Sequence, residues 1–488
     1  MRDKSLSHLF IACGIGLLVG YAALTSSPAL ALGGLLGIVL LVGIAKRPEF
    51  GLLGIIFITG GLYDFVLLPF LKLGPISLQL SDILLMYLLA LILIKILILK
   101  DFKVVRTPLD IPLLCFVLAV VLSAFISIAD PSMETNWVLR HLRPLMYYLG
   151  FFAVTNLIRE KKQLSVLING LFIIAILSCL AYVFLNFAPF IEFGGARELK
   201  TAGREYEDVI RIASWSGDCL IYIMFLVSVC SLIFRGKWLP SVLEFARAGV
   251  LGIAIFLSFT RNTWVTMISM LALLSLLVSR AARFRILRWT ATGVVLVTLL
   301  VGLSGVFPTK YLTAAYDRLV WGMQPDTLAK DASTQWRVFE TRYAIQSIVQ
   351  HPLLGIGLGN FYRPAIENDP LWYPDKPNYG LRWYIHNSYL WVWIDMGLLG
   401  IIPFIWVFAI FLVRGFRRWR NIEDPKLRSI ALGFTLACLG MVISNLVAPR
   451  FVEDWSLSIF AVILGINELI FVQSDAISKS KKKSMQDV

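Results

Sequence analysis

His386 stands where a water-exposed stretch meets a long apolar run. An imidazole titrates near neutrality, so at such a boundary it can take a proton from a hydroxyl. It would serve equally as a helix cap or an interfacial anchor. If it opens the helix that follows, its i+3, i+4 and i+7 neighbours are Tyr389, Leu390 and Trp393, an aromatic, amphipathic face. Arg261 lies in a short tip, "SFTRN", between two apolar runs, where a charge must be paired or at the surface. Arg337 and Arg342 sit in a polar stretch upstream of His386. A planar guanidinium suits two-point binding of phosphate. The alternative is interfacial anchoring, or ion pairs to Glu340 and other nearby acids. Arginines beside a lone histidine at one membrane face suggest a lipid-linked phosphate substrate.

The elements that would position these residues are membrane helices. The 488 residues are 58% hydrophobic and only 16% charged, with a mean hydropathy of +0.77. That composition excludes a soluble globular enzyme and a disordered chain. Apolar runs long enough to cross ~30 Å of hydrocarbon recur throughout. We read 14 spans: 9–25, 28–45, 51–69, 82–99, 109–128, 141–157, 164–187, 215–234, 246–259, 262–279, 289–306, 386–413, 427–447 and 456–472. With the N-terminus inside, most of the 45 Lys and Arg fall in inside loops, as the positive-inside rule requires. The net charge of +14 is then a topology signal, and no nucleic-acid partner is expected. Arg2, Lys4 and Ala29-Leu30-Ala31 have the look of a signal peptide, but a retained first span leaves both termini inside.

Two segments fall outside on this topology. The longer, about 307–385, contains an amphipathic helix over 333–350, in which Trp336, Phe339, Tyr343, Ile345 and Ile348 interleave with polar positions. Pro352, Gly355, Gly357 and Gly359 then break the helix, forming a turn that lets the loop fold back on the membrane. Trp321, Trp336, Trp372, Tyr373, Tyr379, Trp383 and Tyr384 would either stack on sugar rings or form an interfacial belt. The second segment, 188–214, carries mixed charges. Asp64, Asp82, Asp110, Glu244, Asp395 and Glu468 lie in or at the ends of spans, where such groups can mark ion paths. That keeps open a transporter of a small anion such as bicarbonate, or of a lipid-linked sugar. The six cysteines all lie in apolar stretches and the four histidines form no ligand cluster, so neither disulfides nor a metal is expected. No internal repeat is evident.

Three pieces, in order and spacing, resemble the O-antigen ligase/polymerase family of bacterial envelope glycosyltransferases. They are "SFTRNTWV", then "RVFETRYAIQSIVQHPLLGIGLGNF", then "HNSYLWVWIDMGLLG", with Gly397 ten residues after Asn387. The resemblance runs from about 250 to 413. The "VIRIASWSG" stretch is similar to a looser arginine-bearing segment of the family. The chain departs from the family in having about two spans more than the usual dozen, and in carrying Thr341 where members often have Trp.

The spans give an all-α, polytopic membrane protein of about 14 helices with one long helical periplasmic or extracellular loop, and the resemblance implies a GT-C-like enzyme. The divisions would be 1–306, 307–385 and 386–488. The implied reaction is metal-independent, inverting glycosyl transfer with no cofactor. The donor would be a glycan on undecaprenyl diphosphate; the acceptor a glycan, lipid A–core or protein hydroxyl. By the same resemblance His386 is the essential histidine and Arg261 and Arg337 the essential arginines, with Arg211, Asn387 and Arg342 as further substrate-binding candidates. The active site would lie on the outer face of the bacterial inner membrane. A lipid diphosphate leaving group accumulates negative charge, and without a metal, arginines must carry it.

Overall fold

A chain that crosses lipid must satisfy its backbone internally, and the apolar runs do so as helices. The computed structural model describes residues 28–60, 71–73, 76–187, 196–201, 204–212, 217–234, 238–304, 309–321, 324–366, 380–452 and 454–486. The expected first span, 9–25, lies outside them, as do Asp64, Trp372, Tyr373 and Tyr379. The helices begin with α1 (Pro28–Lys46), α2 (Pro48–Gly60), α3 (Leu80–Ile98), α4 (Asp110–Ala129), α5 (Thr135–Leu145), α6 (Gly150–Leu157) and α7 (Lys161–Phe187). Next come α8 (Gly217–Phe234), α9 (Trp238–Leu257), α10 (Arg261–Leu277), α11 (Arg280–Ser304), α12 (Thr309–Tyr316), α13 (Pro325–Lys330) and α14 (Ala332–Gln350). The last are α15 (Ser388–Arg418), α16 (Pro425–Ser444) and α17 (Asp454–Gln486). Among the described residues, seven helices are long and apolar enough to span: α3, α4, α7, α8, α15, α16 and α17. The protein is an all-α polytopic membrane protein.

Two short antiparallel hairpins were not foreseen. They are β1 (Leu71–Leu73) with β2 (Ile76–Leu78), and β3 (Ala196–Thr201) with β4 (Arg204–Ile212). The second occupies the segment read as a mixed-charge loop and packs on α7 and α12. The expected span 141–157 is also not continuous. It is split between α5, a 3-10 turn over Met146–Leu149, and α6, with Pro144 at the break.

The bundle centres on α8, α16 and α17, whose spanning portions are buried nearly all round. The contact between α8 and α16 is the most extensive. It depends on Gly433, where a Cβ would stand 2.7 Å from the Val227 Cα, the small-residue close approach that helix pairs in lipid exploit.

The feature that sets the site is a break in α15. Gly397 has φ +62° inside the helix, and the N–H groups freed there need new acceptors. They come from the turn after α14: Leu398 N donates to Pro352 O (2.9 Å) and Leu399 N to Leu353 O (3.3 Å). In return Ile356 N donates to Ile394 O (2.8 Å) and Gly357 N to Asp395 O (3.1 Å). Gly355, Gly357 and Gly359 all hold positive φ, and the turn also meets α4 and α5. Ser123 Oγ donates to Asp395 O, Ser127 Oγ to Leu358 O and Trp137 Nε1 to Gly359 O. Beyond it the chain is clasped. Tyr362 N donates to Arg382 O (3.3 Å), Arg382 Nε to Arg363 O (3.1 Å), and Tyr362 Oη to Tyr384 O (3.0 Å).

At Gly397 an added Cβ would lie 2.2 Å from Leu353 O. Gly397→Ala is therefore expected to destabilise the fold by at least about 1–3 kcal/mol, the cost of a strained backbone position before any clash. Thermal unfolding in detergent measures this. A melting temperature equal to wild type would show that the break does not hold the turn.

Candidate active site

Asn387, not His386, begins α15. Its side chain caps the helix, accepting from Tyr389 N (2.9 Å) and Leu390 N (3.1 Å), the role asparagine performs best. His386 therefore precedes the helix, and the expected amphipathic face with Tyr389, Leu390 and Trp393 does not include it. Its partner is Glu340 on α14. His386 Nδ1 lies 3.0 and 2.9 Å from Glu340 Oε1 and Oε2, and His386 N donates to Oε2 at 3.0 Å. Trp336 Nε1, one turn back on α14, donates to Oε1 at 2.7 Å. Glu340 is 1% exposed. Both Glu340 oxygens accept N–H groups, so in the neutral imidazole the hydrogen belongs on Nδ1 and the lone pair on Nε2. This is the logic by which a buried acid orients a catalytic histidine.

Arg261 opens α10 after a turn in which Phe259 takes φ +46°, a conformation rare for a bulky residue. The turn aims Phe259 O at Arg318, whose Nε donates to it at 2.5 Å. Arg261 Nη2 pairs with Asp331 Oδ2 at 2.5 Å. Asp331 also caps α14, accepting from Ser333 N at 2.9 Å. Burial pushes the Asp331 carboxyl up, but the hydrogen bond and charge of Arg261 and the capped N–H groups outweigh it, and the net shift is downward. Arg337, one turn on, donates Nε to Val447 O (3.2 Å) and Nη1 to Ser333 O (3.1 Å) and Oγ. Its Nη2 has no protein partner among the described residues. Burial lowers the Arg337 pKa from its usual value, with Glu340 opposing that shift; so high a starting value leaves it charged at neutrality.

These groups surround one open cavity of about 1000 Å³. Arg261, Arg318, Arg337, Arg342, His386 and Asn387 line it, with Asp331 and Glu340 as its acids. Its floor is the end of α16, where the last turn leaves carbonyls without intrahelical donors. Ser444 O takes Asn262 Nδ2 (3.3 Å), Asn445 O takes Ser388 N (3.0 Å) and Val447 O takes Arg337. Four arginines against two acids give the cavity an excess of positive charge.

The structure thus brings together Arg261, Arg337, Arg342, His386 and Asn387, with Asn387 occupied as a cap. Arg342 is exposed and makes no hydrogen bond among the described residues. Arg211 stands on β4, opposite Arg197 in register; its side chain lies outside the described residues. Trp383 and Tyr384 are not free to stack on a sugar. They are 7% and 6% exposed, Trp383 edge-on to His141 and Tyr384 edge-on to His386. The described acids within spans are paired in place: Asp82 with Tyr147, Asp110 with Thr107, Glu244 with Arg247, Asp395 with Trp391 and Glu468 with Arg414. None of them lines the cavity.

Residues 246–405 match the family model described as O-antigen ligase. Over that stretch the chain is similar to the O-antigen ligase family. No curated protein sequence matches the chain. The matched stretch contains Arg261, Arg337, Glu340, Arg342, His386 and Asn387, whereas Arg211 and the end of α16 lie beyond it. Sequence reasoning missed Glu340 as a partner of His386, together with Asp331, Arg318 and Val447. Glu340 did leave a trace, a lone acid three residues after Arg337 on an otherwise aromatic face.

The Asp331 shift has a sign that can be tested. A carboxyl whose folded pKa is depressed adds stability that is present above its unfolded pKa, about 3.9, and is lost as pH falls through the folded value. Acidification below about pH 4 is expected to lower the melting temperature of the wild type more than that of Asp331→Asn. Equal acid sensitivity in the two would mean that the Arg261 pair contributes nothing.

Proposed function

We propose that this protein is a metal-independent, inverting glycosyltransferase of the cell envelope. It moves a glycan from undecaprenyl diphosphate to an acceptor hydroxyl at the outer face of the bacterial inner membrane. The observation that carries this reading is Glu340 holding Nδ1 of His386, in the same cavity as three arginines that the fold itself positions.

The chemistry follows from that arrangement. His386 Nε2 takes the proton of the acceptor hydroxyl as its oxygen attacks the anomeric carbon. The bond from that carbon to the diphosphate breaks, and its electron pair leaves on the diphosphate oxygen. Attack from the face opposite the leaving group inverts the anomeric centre. Glu340 steadies the imidazolium that forms, and Arg261, Arg318 and Arg337 meet the charge that develops on the diphosphate. The lipid tail remains in hydrocarbon while its diphosphate reaches the ends of α10 and α15. Polymerase, ligase and protein-glycosylating activities differ only in the source of the acceptor hydroxyl.

The purified protein in lipid, given an undecaprenyl-diphosphate glycan, tests this. One reaction also receives lipid A–core, and the other receives only more donor. Transfer onto lipid A–core identifies a ligase, and longer chains on the donor lipid identify a polymerase. His386→Ala is expected to reduce the rate by roughly 10²–10⁴, and Arg337→Ala by about 10²–10³. Glu340→Gln should cost at least about tenfold. Absence of transfer with either acceptor, or undiminished transfer by His386→Ala, would refute the mechanism.

A further inference from the structure

Three of the helices that build the active site also build a second, basic cavity at their other ends. α10 starts at Arg261 in the first cavity and reaches the second at Leu277, the last of its 17 residues, a rise of about 25 Å. α15 runs the same way and α16 runs back. The second cavity, about 450 Å³, is lined by Arg285, Arg420 and Arg428 together with Trp419 and Phe234, and no acidic residue lines it.

The arginines are not neutralised by the protein. Among the described residues no carboxylate pairs with any of the three. Arg420 Nη2 donates to Leu277 O (3.2 Å) and Arg428 Nε to Ile422 O (2.7 Å), each using one donor of five. Arg285 makes no hydrogen bond at all among the described residues. Asp424 is adjacent in sequence but is spent capping α16, accepting from Lys426 N at 2.8 Å. Two independent observations point to a missing anion. First, the opening turns of α11 carry Arg280, Arg283, Arg285 and Arg288 with no acid in the first turn. A helix N-terminus is the positive end of the macrodipole, so this is where cations are least favoured and anions most. Second, Trp419 is 5% exposed, lines the cavity, and its buried Nε1 has no hydrogen-bond partner. A buried indole N–H is ordinarily satisfied.

We propose that this cavity binds a phosphate-bearing anion. Arg285, Arg420 and Arg428 hold its oxygens and the Trp419 N–H gives a further donor. The cavity lies at the ends of the apolar helices α8 and α10, lined by Phe234 and Leu277, and the headgroup of an anionic phospholipid carries that chemistry. Inorganic phosphate carries it too.

The test uses the full-length chain in a neutral maltoside detergent. It is titrated separately with cardiolipin, with zwitterionic phosphatidylcholine and with inorganic phosphate. Retained adducts are counted by native mass spectrometry, and the melting temperature is followed. Cardiolipin is expected to be retained in preference to phosphatidylcholine and to raise the melting temperature. Arg285→Gln, which removes no bond from the fold, is expected to weaken retention about tenfold, the effect of losing one charge-assisted hydrogen bond. Trp419→Phe keeps an aromatic side chain but removes the indole N–H; it should weaken retention, and the smaller buried ring should also lower the melting temperature in the absence of lipid. The same pattern with inorganic phosphate would support the site and name free phosphate as its ligand. Equal affinity of wild type, Arg285→Gln and Trp419→Phe for both anions would overturn the proposal, as would equal retention of the zwitterionic lipid. Arg420 and Arg428 would then serve only to hold the Leu277 and Ile422 carbonyls.

Discussion

A helix that breaks inside a membrane protein exposes peptide groups in a place where water cannot satisfy them. In this protein the break at Gly397 is filled by the turn at 352–357, and backbone hydrogen bonds pass in both directions between the two. Neither conformation stands without the other. Gly397 would be an unsatisfied kink, and the positive-φ glycines of the turn would be a loop with nowhere to dock. The exchange fixes α14 relative to α15, and the catalytic candidates are divided between those two helices. Glu340 and Arg337 ride on one, and His386 sits just before the other.

The second support is the end of α16. Helix C-termini leave carbonyls in search of donors, and here Asn262, Ser388 and Arg337 supply them. Three segments distant in sequence are registered on the end of α16 and the residues just past it. The charges follow the same economy of position. Asp331 caps α14 and pairs with Arg261, and Glu340 takes Trp336 and His386 together. Each acid in the cavity thus orients a group of opposite role, and the arginines remain in excess.

Much of this was legible in the sequence, and the part that was not has a common cause. The helix expected over 333–350 is Ala332–Gln350, and the span expected over 386–413 is Ser388–Arg418, because apolar periodicity and cap residues are local signals. The cavity arginines and His386 were found by type and by their place at the ends of apolar runs. The contact of Glu340 with His386 spans 46 residues, and that of Arg337 with Val447 spans 110; no local pattern reports such pairs. The glycines of the turn and Gly397 were each visible, but their mutual docking was not. His386 was misplaced by one residue's logic, since Asn387 is the stronger cap. The β3–β4 hairpin was hidden because its alternation is carried by charged residues rather than by an apolar face.

The clasp formed by Tyr362, Arg363, Arg382 and Tyr384 has a consequence for how such proteins diversify. The clasp is a gate of hydrogen bonds across residues 362–384, and His386 lies only two residues beyond it. Lengthening a loop whose ends are already held costs little, about 0.6 kcal/mol for each doubling. Insertions, deletions and wholesale replacement can therefore accumulate between the two sides of the gate while the histidine keeps its place. Tolerance to change in one stretch and constancy of position in the next are separated by a few hydrogen bonds.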